Sequence, residues 1–449
     1  MGRLFGTDGA RGVANTELTC ELAMNIGRAA ALVLIKGNEG KAKVLIGKDT
    51  RISSNMLEAA LVAGFCSVGV DVILTGYIPT PGVAYLVSKY GANAGVMISA
   101  SHNPCEYNGI KLFDGRGFKL PDALEEEIEA IVLDNAQELP MPTGGDIGQV
   151  TVVENALNDY VDYVSSTINT RLDGLKIALD CANGSSAVSA QKIFEGLGAS
   201  VHMMSDTPNG ININANCGST HMGDLVEYVK NNGMDLGLAF DGDADRCLAV
   251  DENGALVDGD QMIAAFAKHM KETDRLKGNT VVITVMSNIG FMKFAKENDI
   301  DVATTGVGDR YVLENMLEND FKIGGEQSGH IIFKEFATTG DGQLSGVQLA
   351  AMLKTSGKKM SEIAGVMRVF PQTLINVTVT PAGKAKWDTD EEIKKAIDEA
   401  NAKLEGNGRL LVRVSGTEPL IRVMVEGEEQ REIEAIAKKV ADTIKERAV

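Results

Sequence analysis

The sequence has little of what would place it outside the ordinary globular enzymes. Its six cysteines (Cys20, Cys66, Cys105, Cys181, Cys217 and Cys247) are scattered through 449 residues with no CxxC pair. That spacing argues against a zinc ribbon or a disulfide frame and fits small buried hydrophobes in a reducing cytoplasm. No apolar run is long enough to cross a bilayer. The opening "MGRLFGTDGARG" lacks the apolar core of a signal peptide. Thr7 falls one position beyond the hydroxyl that a myristoylation signal requires. Positive charge is scarce as well: 43 Lys and Arg against 62 Asp and Glu leave a formal net charge of −19. No nucleic-acid surface and no membrane partner are expected, although a local nest of arginines and backbone N–H groups can hold a small anion even in an acidic protein. Low-complexity tracts and short-period repeats are missing too.

What the chain does have is length and alternation. It is longer than one hydrophobic core usually serves, so three or four domains are expected. The apolar runs "KVLIG", "VDVILTG" and "AGVMISA" read as buried strands, with the helix-patterned "SNMLEAALVAGFCSVG" between the first two and "DALEEEIEAIVL" after the third. Beyond a linker expected near 150, "GLKIALDCAN", "ASVHMMSD" and "DLGLAFDGD" alternate with the helical "AVSAQKIFEGLG" and "DLVEYVKNNG". A third set opens with "GDQMIAAFAKHMKE" and "NTVVITV". Such alternation predicts α/β units with mostly parallel sheets. The tail reads differently: strand, helix, two strands joined by "SGTEP", then the amphipathic "EQREIEAIAKKVADTIKERAV", an α+β order with an antiparallel sheet. The expected fold class is α/β, with three mixed three-layer domains over 1–153, 154–255 and 256–368 and a smaller α+β domain over 369–449.

Chemistry concentrates in a few loops. "AGVMISASHNP" carries a strand into two serines, a histidine, an asparagine and a proline, leaving the Ser101 hydroxyl at a strand tip. "AFDGDADRCLAVDE" sets Asp241, Asp243 and Asp245 at alternate positions after an apolar strand. At an effective dielectric of 20, two such charges at 4 Å repel by about 4 kcal/mol, so a cation among them is expected. Oxygen-only donors select Mg²⁺ or Ca²⁺. A solvated acidic turn is the plain alternative. An EF-hand is disfavoured, because Arg246 stands where its turn glycine belongs and strands flank the segment. Four glycine-rich loops share a phosphate-and-sugar vocabulary. "FGTDGARG" offers Arg11, "TTGVGDRYV" offers Asp309 and Arg310, and "GGEQSGHII" offers Glu326, Ser328 and His330. "RVSGTEPLIR" offers Arg413, Ser415, Gly416, Thr417 and Arg422. The last is either an anion cradle or a plain hairpin turn, and both readings stay open on its residues alone. "GGEQSGH" alone is equally a turn with a capping serine and a structural histidine.

"ISASHNP", "DGDADR", "GEQSGH" and "RVSGTEP", in this order over nearly the whole chain, resemble the α-D-phosphohexomutase superfamily. Within it, "FGTDGARGVAN", "PNGININANCGSTH" at 208–221 and Gln327 point to the hexosamine-phosphate branch. The resemblance implies four domains around a central cleft and an interconversion of glucosamine 6-phosphate and glucosamine 1-phosphate that feeds UDP-N-acetylglucosamine and cell-wall synthesis. It makes Ser101 a phosphoserine that gives its phosphoryl group to the sugar monophosphate and recovers the other one. A glucosamine 1,6-bisphosphate stays bound between the two transfers, and that compound or glucose 1,6-bisphosphate serves as primer. One Mg²⁺ would be held by Ser101, Asp241, Asp243 and Asp245. Lys111 and His330 are implied as base and acid, Arg11 and Arg246 as stabilisers of the transferring group, and His102 as an orienting residue. Asp309, Arg310, Glu326 and Ser328 would bind the sugar. Arg413, Ser415, Gly416, Thr417 and Arg422 would bind the distal phosphate. A homodimer is compatible with the helix surfaces, though no single patch decides it. The alternatives are a phosphomannomutase/phosphoglucomutase, a Mg²⁺-dependent phosphatase and a non-catalytic sugar-phosphate-binding regulator.

Overall fold

The computed structural model describes residues 3–6, 8–35, 40–415 and 419–448. Met1–Met286 with Ile300–Val366 form one compact unit, and Ser287–Asp299 with Met367–Val449 form a second.

The first unit contains three sheets. The strands of the first are β1 (Phe5–Gly6), β2 (Gly9–Val13), β3 (Lys43–Lys48), β4 (Asp71–Tyr77), β5 (Ala94–Ile98), β6 (Tyr107–Asp114) and β7 (Val150–Val152). They lie in the order β1-β2-β6-β5-β3-β4-β7. β5, β3, β4 and β7 run parallel, while β6, β2 and β1 continue the sheet antiparallel. The central strands are apolar throughout because helices cover both faces, which leaves no side for alternating polar residues. All five residues of β5 are buried. On one face Val44 and Ile46 pack with Ile26, Ala30, Leu57, Leu61 and Phe65 of the helices Cys20–Leu34 and Ile52–Ser67. The linker expected near 150 turns out to carry β7, which extends the first sheet at its edge. Its three residues are exposed, so the segment lacks the burial signal that a strand reading needs.

The second sheet comprises β8 (Lys176–Asp180), β9 (Ser200–Met204), β10 (Leu236–Phe240), β11 (Cys247–Val250) and β12 (Leu256–Val257), in the order β12-β11-β10-β8-β9. The third comprises β13 (Thr280–Thr284), β14 (Asp301–Thr305), β15 (Ile323–Gly325) and β16 (Ile331–Phe333), in the order β14-β13-β15-β16. Both are parallel at the core and end in antiparallel strands. All three sheets deliver a polar loop from the carboxyl end of a parallel strand: Ser101 after β5, Asp241 after β10 and Glu326 after β15. This is where open α/β sheets generally bind ligands.

The second unit is α+β. Its sheet of β17 (Gln372–Thr378), β18 (Gly408–Val414) and β19 (Leu420–Gly427) is antiparallel throughout, with β19 in the middle. Val377, Ile421, Val423 and Val425 pack with Ile433, Ile436, Val440 and Ile444 of the helix Gln430–Ala448. All six cysteines are free. Among the described residues no helix is long and apolar enough to cross a membrane.

Candidate active site

The serine at the strand tip is held by its backbone. Ser101 adopts a φ of +51°, a conformation that residues other than glycine rarely take. Its N–H donates to Ser99 Oγ at 3.0 Å, and Ser99 Oγ donates to Asp49 Oδ2 at 2.6 Å. The Ser101 hydroxyl, almost fully buried, donates to Asp241 Oδ2 at 2.6 Å. The first two sheets thus bring the predicted phosphate carrier against the predicted metal cluster.

Asp241, Asp243 and Asp245 are all buried, and one carboxylate oxygen from each lies within 4.8 Å of the others. Burial, together with Asp245 and Asp243, pushes the Asp241 carboxyl up to about 8. Asp243 Oδ1 and Asp245 Oδ1 are buried with no hydrogen-bond partner. An all-oxygen donor set with two buried, unsatisfied carboxylate oxygens fits a hard divalent cation. The Lys111 ammonium, delivered by β6, donates to Asp243 Oδ2 at 2.6 Å and to Asp245 Oδ2 at 3.4 Å. Burial alone would lower the Lys111 pKa, but Asp243, Asp8 and Asp245 outweigh it and hold the side chain cationic above its ordinary value. Thr80 braces the same carboxylate, its hydroxyl donating to Asp243 Oδ2 at 2.5 Å.

Lys111 also belongs to a closed circuit in which acidic and basic side chains alternate. Its ammonium lies 3.0 Å from Asp8 Oδ2; Asp8 Oδ1 lies 2.7 Å from Lys119 Nζ; and Lys119 Nζ lies 2.5 Å from Asp309 Oδ2. Asp309 Oδ2 lies 3.3 Å from His330 Nε2, and His330 Nδ1 lies 3.7 Å from Asp245 Oδ1, which returns to Lys111. The circuit draws on all three sheets of the first unit. Its lysines hold Asp8, Asp245 and Asp309 below the usual carboxylate range against the opposing effect of burial. Burial works against the His330 imidazolium too, yet Asp309 and Asp245 raise its pKa. Gly340 N–H donates to His330 Nε2 at 3.0 Å, which assigns the neutral ring's proton to Nδ1, facing Asp245. A proton on Nε2 would turn toward Asp309 and give up the Gly340 bond.

The other predicted residues take varied positions. Arg11 pairs with Asp8. Arg246 N–H donates to Asp241 Oδ1 at 3.2 Å, and its guanidinium donates to His102 Nδ1, also at 3.2 Å. Burial, then Arg246 and Arg11, lower the His102 pKa to about 4, so the ring is neutral; its Nδ1 lies 3.4 Å from Ser101 Oγ. Glu326 Oε1 accepts from Gly308 N–H at 3.2 Å, while Ser328 Oγ is buried and makes no hydrogen bond. Asp309 is engaged in the circuit. Arg310 pairs with Asp122 and, at 2.8 Å, with Glu125 Oε2. Gln327 uses its amide on Asp258 Oδ2 at 3.1 Å, bracing the capping box of the helix Gly259–Glu272. In the second unit, Arg413 and Arg422 face each other across β18 and β19. Burial, then Arg422, lowers the Arg413 pKa. Ser415 is buried, with its N–H donating to Leu420 O at 2.9 Å; Gly416 and Thr417 lie outside the described residues.

Sequence reasoning missed Arg51, Thr80, Lys119, Asn214 and Gly340 as participants. Arg51 had a readable signal: "KDTR" follows a buried parallel strand, just as the three aspartates do. Lys119 had none, because its partners Asp8 and Asp309 are distant in sequence.

Comparison with known proteins agrees with this geometry. Models of the phosphoglucomutase/phosphomannomutase family match as α/β/α domain I over residues 2–139, domain II over 158–254, domain III over 258–370 and the C-terminal domain over 374–443. A phosphoglucosamine mutase of Clostridium novyi (strain NT) is 55% identical over 449 residues, covering 100% of both chains. One from Acetivibrio thermocellus is 54% identical over 447 residues, again covering 100% of each. Among solved structures, a phosphoglucomutase/phosphomannomutase family protein of Burkholderia thailandensis superposes with a TM-score of 0.82 at 22% identity, covering 100% of this chain and 98% of that one. The N-acetylphosphoglucosamine mutase of Aspergillus fumigatus gives 0.71 at 16% identity, covering 100% and 96%. At those identities the two structures establish the shared fold.

Proposed function

The chain belongs to the phosphoglucomutase/phosphomannomutase family, and from that premise we propose that it works as a phosphoglucosamine mutase, interconverting glucosamine 6-phosphate and glucosamine 1-phosphate. The observation that carries the reading is Ser101 Oγ, buried at a strand tip and 2.6 Å from a carboxylate of an all-oxygen cluster. A phosphoserine brings about −1.5 to −2 charge, and only a site with matching cations can accept it. Asp241, Asp243 and Asp245 would hold Mg²⁺ together with the serine's phosphate. Bound there, the cation would offset the repulsion and polarise the phosphorus.

In the proposed cycle, the P–O bond to Ser101 breaks as a bond forms to the free sugar hydroxyl, whose proton leaves for His330, the second of the two expected acid–base residues. The bisphosphate then turns round, and its other phosphate returns to Ser101 Oγ. Lys111 enters protonated and suits the acid that neutralises the departing oxygen, with the base role in the reverse direction. Arg246 and Arg11 lie beside the carboxylates, where charge develops on the transferring group. The unpartnered Ser328 hydroxyl, with Glu326, Asp309 and Arg310, would meet the sugar. Arg413, Ser415, Gly416, Thr417 and Arg422 would take the distal phosphate. The labour would divide as expected, with 1–153 presenting the serine, 154–255 the carboxylates, 256–368 the sugar-facing turn and 369–449 the distal anion site. The proposal includes a bisphosphate primer and a cytoplasmic place of action, which six free cysteines suit. A homodimer is compatible with it, and light scattering would count the copies.

The test is turnover. A coupled assay should form glucosamine 1-phosphate faster than the corresponding products of glucose or mannose 6-phosphate, and a preference for a neutral sugar would reject the amino-sugar assignment. Intact-protein mass should reveal phosphate on the purified chain. Ser101→Ala should remove that phosphate and lower kcat by at least about 1,000-fold.

A further inference from the structure

The loop at 208–221, which marks the hexosamine-phosphate branch in the sequence, touches the serine loop. The Asn214 side chain, itself buried, donates from Nδ2 to Ser101 O at 2.9 Å and to Asn103 O at 3.0 Å. The same two carbonyls receive Arg51, whose NH2 group donates to Ser101 O at 2.9 Å and to Asn103 O at 2.8 Å. Arg51 is completely buried, and its other donors are also satisfied. Nε reaches Asp49 Oδ2 at 2.8 Å, and NH1 reaches Pro104 O at 2.5 Å and Tyr107 O at 3.0 Å. Gly242 in the aspartate loop approaches so closely that a Cβ there would lie 2.6 Å from Ser101 O and 2.9 Å from Asn214 Nδ2.

We infer that Asn214 and Arg51 are positioning residues forming a two-sided clamp on the carbonyls of Ser101 and Asn103. The clamp holds the serine in its left-handed conformation with Oγ aimed into the carboxylate cluster. The loop 208–221 therefore acts on the rate of phosphoryl transfer and not on the choice of sugar. Three features support this. A φ of +51° at a non-glycine residue persists only when its surroundings over-determine it, and four hydrogen bonds on two carbonyls do so. The loop is braced to hold still: Ile52 N–H donates to Gly210 O at 2.8 Å, Asn214 N–H to Ala182 O at 2.8 Å and Gly218 N–H to Asp180 Oδ2 at 2.8 Å. Gln327, the other branch-marking residue, likewise uses its amide within the protein.

The inference rests on Ser101 being the phosphate carrier, and its test separates the two. In Asn214→Ala each carbonyl keeps its Arg51 bond, so no buried acceptor is orphaned and the fold should survive. Because a displacement of about 1 Å can cost about 100-fold in rate, kcat is expected to fall about 10- to 100-fold on glucosamine and glucose phosphates alike. KM should stay within about 3-fold. The ³¹P resonance of the phosphoserine should shift or broaden, which loss of a merely structural contact elsewhere would not produce. Should that variant fail to fold, Asn214→Gln keeps the amide, displaces it by one methylene and serves the same comparison. An unchanged kcat and ³¹P resonance would overturn the clamp, as would a defect in KM or one confined to the amino sugar. A wild-type protein without phosphate on Ser101 or without mutase turnover would instead overturn the proposed function.

Discussion

The two loops that meet at Ser101 Oγ are held in opposite ways. The serine loop is caught by its main-chain carbonyls, with Arg51 and Asn214 as donors, so what is fixed there is position. The aspartate loop is caught by its carboxylates, with Lys111, Thr80 and the Arg246 amide as donors, so what is fixed there is charge. The difference suits phosphoryl transfer, where a nucleophile must be aimed and a developing charge must be met by groups already in place.

The sharpest way to break this contrast is to change charge without changing shape. Asp243→Asn removes one negative charge from the cluster and should lower kcat by about 100- to 1,000-fold and weaken divalent-ion binding. Parallel turnover assays and calorimetric Mg²⁺ titration would check it, and unchanged values for both would refute the charge reading. A smaller effect is expected where position and charge overlap. Gly340 gives His330 Nε2 its hydrogen bond, and a Cβ at that glycine would lie 2.5 Å from the ring nitrogen. Gly340→Ala should displace the imidazole and lower kcat about 10-fold with the thermal midpoint little changed. A wild-type rate would show that the ring need not sit there.

The smallest expected effect concerns a carboxyl outside the cluster. Asp341, which caps the helix Gly342–Ser356 and bonds the Tyr160 hydroxyl at 3.0 Å, is pushed up to about 7 by burial. Its folded value exceeds its unfolded one, so the stability it contributes is complete below about pH 4 and declines as pH rises through 7. Asp341→Asn should flatten that decline, gaining on the order of 1 kcal/mol on the wild type between pH 5 and 8. Thermal unfolding at the two pH values would measure it, and a parallel pH profile would count against the assignment.

Much of the fold was legible because both faces of the central strands are covered, which writes them as unbroken apolar runs such as β5. β7 was not legible, since an exposed edge strand carries no such mark. The aspartate cluster declared itself through close spacing and mutual repulsion. The ionic circuit did not, because its six members come from five separate stretches of chain and only the packing of three sheets brings them together. Gln327 and the loop 208–221 stood out only as markers of a branch. Their hydrogen bonds could not be read from residue type, and those bonds place the two segments on Asp258 and on the serine loop.

That circuit bears on any attempt to build hybrids from this chain. Asp8, Lys111 and Lys119 come with the first sheet, Asp245 with the second, and Asp309 and His330 with the third. A segment transplanted into a relative would arrive with largely buried ionisable groups whose mates stayed behind. Grafts should therefore succeed only when seams are cut so that matched acids and bases travel together.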